Sequence, residues 1–390
     1  MYKFERYHSK IQVDMSWCCF PSRKRNDPYP QQELGVFSSP KNIKLFSYEE
    51  LRSATDNFHR GNKIGRGGFG TVYKGILNSG REVAVKVLSA ESRQGVKEFL
   101  TEIDVITNVR HQYLVELLGC CVQANNRILV YEFLANSSLD RALLGSNSDP
   151  SKLDWSIRSA ICLGTARGLA FLHEELEPPI VHRDIKASNI LLDRDYIPKI
   201  GDFGLAKLFP DNVTHISTRV AGTTGYLAPE YALHGQLTKK ADIYSFGVLV
   251  LEIVSGKSSS KSLWSESGKL LLELAWQLYE EGNLKRLVDT ALKEYPEEQV
   301  IRYIKVALFC IQAAAGRRPS MLQVIDMLSK PIRLNEKELT PPGYIDDYVN
   351  VGKESKATTS SNLPFKDSCS ADTTAAFTSN PVTFTEMAPR

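Results

Sequence analysis

The stretch IVHRDIKASNILLD, residues 180–193, sets a polar loop between two short apolar runs. Within six residues the loop offers a carboxylate (Asp184), an ammonium (Lys186) and a side-chain amide (Asn189). Phosphoryl transfer needs a carboxylate to accept a hydroxyl proton, a cation on the γ-phosphate and oxygen ligands for a divalent metal. This loop supplies all three kinds of group. His182, just before Asp184, is read as structural, its ring hydrogen-bonding loop backbone.

Downstream, KIGDFGLAK (199–207) places Asp202 after a short strand, with Gly204 as a flexible stop. A hard cation bridging phosphates prefers carboxylate oxygen, which suits Asp202. GTTGYLAPE (222–230) ends in Ala228-Pro229-Glu230, and Glu230 is expected to pair with Arg318 of RRPSM, holding a loop to the helical part. Upstream, GRGGFGTV (65–72) carries Gly65, Gly67 and Gly70 before Val72. Such glycines let backbone N–H groups approach phosphate oxygens with no Cβ in the way. A dinucleotide-binding fold would need a helix directly after the third glycine, whereas TVYKGIL is β-branched and aromatic. The glycines therefore belong to a strand–turn–strand. Lys86, ending VAVK on the next strand, is then placed to neutralise phosphates. Glu102, on the helix expected to follow, is the carboxylate to hold it.

The apolar period changes partway along the chain. KIGRGGFGTVYKGIL and REVAVKVL are strands joined at Asn78-Ser79-Gly80; VKEFLTEIDVITNV is helical, with Phe99, Ile103 and Ile106 on one face; YLVELLGCCVQANNRILVYEFL returns to strand. After Ser137 the pattern is mostly helical. A β-rich piece followed by a larger α-rich piece predicts an α+β protein of two lobes. Residues 1–45 are polar and proline-bearing and read as a flexible extension. Residues 46–330 read as the folded domain, divided near 134/135, and 331–390, rich in Ser and Thr, as a disordered tail.

Composition fits this reading. The 390 residues are 42% hydrophobic and 24% charged, as in soluble globular proteins, and a net charge of +3 over this length argues against nucleic-acid binding. The longest apolar run, FGVLVL (246–251), is far short of the ~20 residues a membrane helix needs. Seven cysteines with no CxxC spacing suit reduced thiols in the cytosol.

The five motifs GxGxxGxV, VAVK, HRDxKxxN, DFG and APE, in this order, resemble the signature set of eukaryotic protein kinases across about residues 58–330. More narrowly, FSYEELRSATDNFHRGNKIGRGGFGTVYKG (46–75), LVYEFLANSSLD (129–140), DIYSFGVLVLEIVSG (242–256) and RPSM resemble plant receptor-like kinases. VLSAESRQGVKEFLTEIDVI (87–106) and ISTRVAGTTGYLAPEYA (216–232) are similar to the cold-responsive protein kinase type, a receptor-like cytoplasmic serine/threonine kinase.

The resemblance implies the bilobal kinase fold and roles for named residues. Gly65, Arg66, Gly67, Gly68, Phe69, Gly70 and Val72 would cover the ATP phosphates, which Lys86 contacts while paired with Glu102. Ile64, Val72, Ala84 and Leu191 would sandwich adenine, hydrogen-bonded to backbone at Glu132 and Leu134, with Tyr131 at the back of the pocket. Asp184 would be the catalytic base, and Asn189 and Asp202 the ligands of Mg²⁺, for which Mn²⁺ can substitute. Lys186 and Thr223, the latter bonded to Asp184 and Lys186, point to serine/threonine substrates, with tyrosine left open as a second specificity. Arg183 would pair with activation-segment phosphate, on Thr218 first, then Ser217 or Thr214. The implied partners are protein substrates and an upstream receptor kinase. The rival reading, a pseudokinase scaffold that binds nucleotide without transferring phosphate, predicts loss of Lys86, Asp184, Asn189 or Asp202, and all four are present.

One feature lies outside this set. Cys18 and Cys19 stand before Arg23-Lys24-Arg25. S-palmitoylation beside a basic run would give the two signals that stable attachment to the inner leaflet of the plasma membrane requires. The alternative is an unstructured lead-in. Neither Met1 nor Met15 precedes glycine, so N-myristoylation is not expected at either start.

Overall fold

The computed structural model describes residues 43–67, 70–88, 93–107, 109–145, 152–210, 213–259 and 270–343. Strand β1 (Lys44–Leu45) and helix α1 (Tyr48–Ala54) precede β2 (Lys63–Arg66), β3 (Gly70–Ile76) and β4 (Glu82–Leu88). Helix α2 (Arg93–Ile106) follows, then β5 (Leu117–Gln123) and β6 (Asn126–Glu132). The strands form one sheet in the order β1-β5-β6-β4-β3-β2, antiparallel except for the short β1–β5 pair. Gly80, at φ +79°, closes the β3–β4 turn. Ser47 caps α1 by accepting a hydrogen bond from the Glu50 N–H, and Glu49 and Glu50 complement its positive end.

Strand alternation divides the sheet into two faces. Val83, Val85, Ile128 and Val130 are buried with Phe46 and Leu51 of the N-terminal segment. Leu88, Leu129 and Cys120 join α2 residues Phe99, Ile103 and Ile106 in the main core. Ala84 and Lys86, on either side of buried Val85, stay half-buried.

The rest of the structure is mainly helical. Helix α3 (Trp155–Ala170) is capped by Asp154 and leads to β7 (Ile180–Val181). A hairpin of β8 (Ile190–Leu192) and β9 (Pro198–Ile200) follows, then β10 (Lys207–Leu208), β11 (Ile216–Ser217), α4 (Pro229–His234) and β12 (Gln236–Leu237). Short pairs β10–β7 and β11–β12 tie the segment between them to the lobe. Helix α5 (Lys239–Ser255) is buried from Ala241 to Ser255, and α6 (Leu271–Glu280), α7 (Glu297–Cys310) and α8 (Met321–Ser329) complete the lobe. The apolar run 246–251 is thus the centre of a core helix. Among the described residues no helix is long and apolar enough to cross a membrane.

Two boundaries differ from the sequence reading. Residues 44 and 45, read as part of the extension, form β1 against Gly119 and Cys120. Residues 331–343, read as tail, continue along the helical lobe: Lys305 pairs with Glu336 at 2.7 Å, and Gln312 bridges to Pro342. Both segments are short on apolar residues, so no periodicity marks them as packed. Residues 1–42 and 344–390 lie outside the described residues.

Candidate active site

Three elements bring the chemistry-bearing side chains together: β4, α2 and the loops around the β8–β9 hairpin. Lys86 donates to Glu102 Oε1 at 2.5 Å and to Asp202 Oδ1 at 2.8 Å. Burial opposes the charge on Lys86, but the carboxylates of Asp202 and Glu102 outweigh it and hold the ammonium well above its usual range. The same ammonium keeps Asp202 well below the usual carboxylate range. Burial pushes the Glu102 carboxyl up to about 7, Lys86 opposing and Asp202 reinforcing the shift.

The sequence reading makes Gly204 a flexible stop. Its positive contribution is closeness instead: a Cβ there would lie 3.1 Å from Glu98 Cγ and 3.2 Å from Glu102 Oε1, so glycine lets α2 close on this turn. Phe203 beside it is buried and meets the His182 ring edge-on at 4.8 Å.

In the 180–193 loop, Lys186 lies 2.7 Å from Asp184 Oδ2 and donates to Thr223 Oγ1 at 2.7 Å. Thr223 in turn donates to Asp184 Oδ1 at 2.8 Å. Asn189 Nδ2 donates to the Asp184 carbonyl at 2.8 Å and to Asp184 Oδ2 at 3.0 Å. That leaves the Asn189 amide oxygen and the Asp202 carboxylate as hard oxygen donors, a set whose chemistry fits a divalent cation. His182 is fully buried, its Nε2 3.1 Å from the Gly201 carbonyl oxygen and its Nδ1 accepting from the Asp184 N–H. This is the structural use read from the sequence.

The four residues expected to sandwich adenine, Ile64, Val72, Ala84 and Leu191, are all half-buried; Ala84 alternates with buried Val83 and Val85, and Leu191 with buried Ile190 and Leu192. Ala84 pairs with Tyr131 across β4–β6, and Gly65 with Val72 across β2–β3. The Glu132 side chain is engaged by Lys199 at 2.9 Å and by the Glu116 N–H, and Leu134 is buried. The Tyr131 hydroxyl and Glu102 Oε2 are buried and without a hydrogen-bond partner. Arg66, Gly67 and Gly70 lie at the end of the β2–β3 turn; Gly68 and Phe69 lie outside the described residues.

Around this centre stands a positioning shell that the sequence reading only partly finds. Glu230 and Arg318 form the expected bidentate pair at 2.7 and 2.8 Å. Arg183 donates to the carbonyls of Leu205 and Arg219 and to the Tyr231 hydroxyl, which also accepts from the Ala221 N–H. Of the three candidate phosphorylation sites, Thr218 accepts from Lys207 Nζ at 3.3 Å. Burial, then Arg183 and Lys97, push the Lys207 ammonium below its usual range. Ser217 is exposed in β11, and Thr214 meets His215. Missed altogether is Asp242, fully buried on α5. It accepts from the backbone N–H groups of His182 at 2.7 Å and Arg183 at 2.8 Å and pairs with His173 at 2.9 Å. A lone carboxylate opening an apolar helical run was the available signal. Tyr226, whose hydroxyl donates to buried Glu252 at 2.5 Å, was missed for want of any local signal.

Comparison with known proteins agrees with this geometry. Residues 58–328 match the family described as protein tyrosine and serine/threonine kinase. The chain is 55% identical over 320 residues to cold-responsive protein kinase 1 of Arabidopsis thaliana, covering 81% of this chain and 82% of that one. It is 48% identical over 371 residues, and 51% over 331, to two probable LRR receptor-like serine/threonine-protein kinases of the same plant, of which it spans 35% and 32%.

Proposed function

The chain belongs to the protein kinase family, among the receptor-like serine/threonine kinases, and on that premise we propose the roles of its site residues. The single observation that carries the proposal is the cluster Asp184–Lys186–Thr223–Asn189 beside the Lys86–Glu102–Asp202 chain, near enough for the Lys186 charge to act on Asp202. Kinases use ATP and a divalent metal, and Mg²⁺ is the ion proposed here, with Mn²⁺ a substitute. When bound, it would neutralise phosphate charge, held by Asp202 and the Asn189 amide oxygen.

Asp184 orients the serine or threonine hydroxyl of a protein substrate and accepts its proton as the new O–P bond forms and the bond to the leaving ADP oxygen breaks. Lys186 balances charge on the transferred group, and Thr223 holds both side chains in register. Lys86 contacts the α- and β-phosphates, with Glu102 setting its position. Ile64, Val72, Ala84 and Leu191 enclose adenine, with backbone of Glu132 and Leu134 as hydrogen-bond partners. The turn at Gly65, Arg66, Gly67, Gly68, Phe69 and Gly70 covers the phosphates.

Thr218 is the proposed regulatory phosphosite, ahead of Ser217 and Thr214, because Lys207 already reaches its hydroxyl and Arg183 and Lys97 bear on the same ammonium. A phosphate there would relieve the repulsion among these cations and order the segment. Plant signalling, an upstream receptor kinase, and attachment to the cytoplasmic face of the plasma membrane through Cys18 and Cys19 complete the proposal; both cysteines lie outside the described residues. A nucleotide-binding scaffold without transfer is the alternative.

The test is transfer from ATP to peptides differing only in Ser, Thr or Tyr at one position. Serine and threonine should accept phosphate and tyrosine should accept little. A Thr218→Ala protein should show reduced transfer; full activity with a normal autophosphorylation pattern would sink the Thr218 assignment. Wild-type protein that binds ATP yet phosphorylates none of the peptides would favour the scaffold. A Cys18→Ser/Cys19→Ser double variant that partitions with membranes as well as wild type would remove the anchor.

A further inference from the structure

The family match ends at residue 328, yet the chain from Lys330 to Gly343 remains in ordered contact with the helical lobe. Its path is fixed by hydrogen bonds at both ends. Arg302 on α7 donates to the carbonyls of Lys330 at 2.8 Å and Ile332 at 2.5 Å, and Lys305 pairs with Glu336. Further on, the Thr340 hydroxyl donates to Gln312 Oε1 at 3.0 Å, and the buried Tyr244 hydroxyl donates to the Gly343 carbonyl at 2.8 Å.

The two residues that receive the far end of this segment, Gln312 and Tyr244, also hold Arg318. The Gln312 carbonyl accepts from Arg318 Nε at 2.8 Å, and the Tyr244 ring lies 5.0 Å from the guanidinium carbon. Arg318 is buried, and its bidentate partner Glu230 is the second residue of α4. The first residue of α4, Pro229, touches the segment directly: a Cβ on Gly343 would lie 2.9 Å from Pro229 Cγ and 3.0 Å from Ala313 Cα. From α4 the contacts continue inward. The Tyr231 hydroxyl accepts from Arg183 and from the Ala221 N–H, two residues before Thr223, which is bonded to Asp184.

We propose that residues 331–343 are a strap that positions α4, and through it the loop on which a protein substrate rests beside Asp184. Its residues touch no reacting atom, so they are positioning residues. Because the strap bears on the substrate side and not on β2–β4, its loss acts on the protein substrate and leaves nucleotide binding alone. The inference rests on the kinase reading above.

The test uses the full chain and four variants: deletion of 331–390, deletion of 344–390, Gly343→Ala and Tyr244→Phe. Each is measured for thermal unfolding, for the KM of a serine peptide and for the KM of ATP. Deletion of 331–390, which removes several contacts at once, and Gly343→Ala, which sets a methyl against Pro229, should raise the peptide KM by more than the roughly fivefold that a single buried hydrogen bond is worth, with the ATP KM within about twofold of wild type. Tyr244→Phe, which keeps the ring against Arg318, should give a smaller rise of the same kind, and deletion of 344–390 should behave as wild type. Should the longer deletion fail to fold, the two point variants decide. An active wild type with unchanged peptide KM in the strap variants overturns the proposal. So does a fall in apparent kcat that tracks lost folded protein while both KM values stay at the wild-type level, which would make the strap a stability element only. A wild type without any transfer overturns the kinase reading instead.

Discussion

Replacing Thr223 by valine removes one hydroxyl while keeping the shape of the side chain. That hydroxyl accepts from Lys186 at 2.7 Å and donates to Asp184 at 2.8 Å, so it bonds the segment that carries it to both charged groups of the loop. Both partners are largely shielded, with side-chain exposures of 14% for Lys186 and 9% for Asp184, so water does not fully replace the lost bonds. The direct Lys186–Asp184 pair at 2.7 Å survives and keeps the loop folded. A hydrogen bond to a charged group is worth about 1.5–3 kcal/mol. If one such bond is lost from the transition state, kcat falls by about tenfold to somewhat over a hundredfold, at roughly 1.36 kcal/mol per decade. The KM for ATP should stay within about twofold, because Thr223 touches neither Lys86 nor β2–β4. Thr223→Ser should recover most of the loss. Steady-state rates on a serine peptide, with unfolding followed in parallel, make the measurement. A valine variant within about twofold of wild-type kcat would refute the idea that Thr223 ties Asp184 to Lys186 during transfer.

Three further outcomes follow from the same contacts. Glu230→Gln leaves Arg318 buried with only carbonyls for partners; breaking a buried pair costs about 3–5 kcal/mol, and the surviving bonds to Gln312, Ala313 and Lys240 place the loss near 3, visible as a lower unfolding temperature, whereas an unchanged melt would contradict the pairing. Glu102 has its carboxyl raised from 4.5 to about 7, so transfer should fall as pH drops through about 7, because a protonated Glu102 no longer pairs with Lys86. The sign for stability is opposite: the folded state binds this proton more tightly than the unfolded chain, so between about 7 and 4.5 this group adds stability as pH falls, and Glu102→Gln should flatten the acid limb of the rate profile. Gly119→Ala sets a methyl 2.3 Å from the Lys44 carbonyl oxygen and 2.4 Å from the Phe46 ring; hydrogen exchange over residues 44–54 should rise while ATP binding is unchanged, and an unchanged exchange pattern would show that β1 does not depend on this contact.

Much of the site was legible in the sequence because its chemistry is local. Asp184, Lys186 and Asn189 share one loop, Lys86 and Asp202 each sit in a motif whose residue type the phosphate chemistry demands, and Glu102 is the carboxylate that a lysine so placed requires on the next helix. The change from strand to helical periodicity gave the two lobes, and the distant Glu230–Arg318 pair was found because both ends carry a motif. What was hidden depends on contacts that leave no local pattern. Asp242 stands before a long apolar run, and only the folded chain shows it gripping two backbone N–H groups of the 180–193 loop. The strap is held by polar side chains, backbone carbonyls and a glycine–proline contact, so hydropathy gave no reason to extend the domain past 330. Gly204 shows the same limit: flexibility and close packing both select glycine, and only the distances to Glu98 and Glu102 tell them apart.

The most direct test of the account measures ATP binding and phosphate transfer on one preparation of Asp184→Asn protein beside wild type. Asparagine keeps the size of the side chain but cannot take the hydroxyl proton. ATP should bind as it does to wild type, while transfer to a serine peptide falls by two orders of magnitude or more, roughly the worth of general-base catalysis. Transfer at the wild-type rate with intact ATP binding would contradict the assignment of Asp184 and, with it, the mechanism proposed for this site.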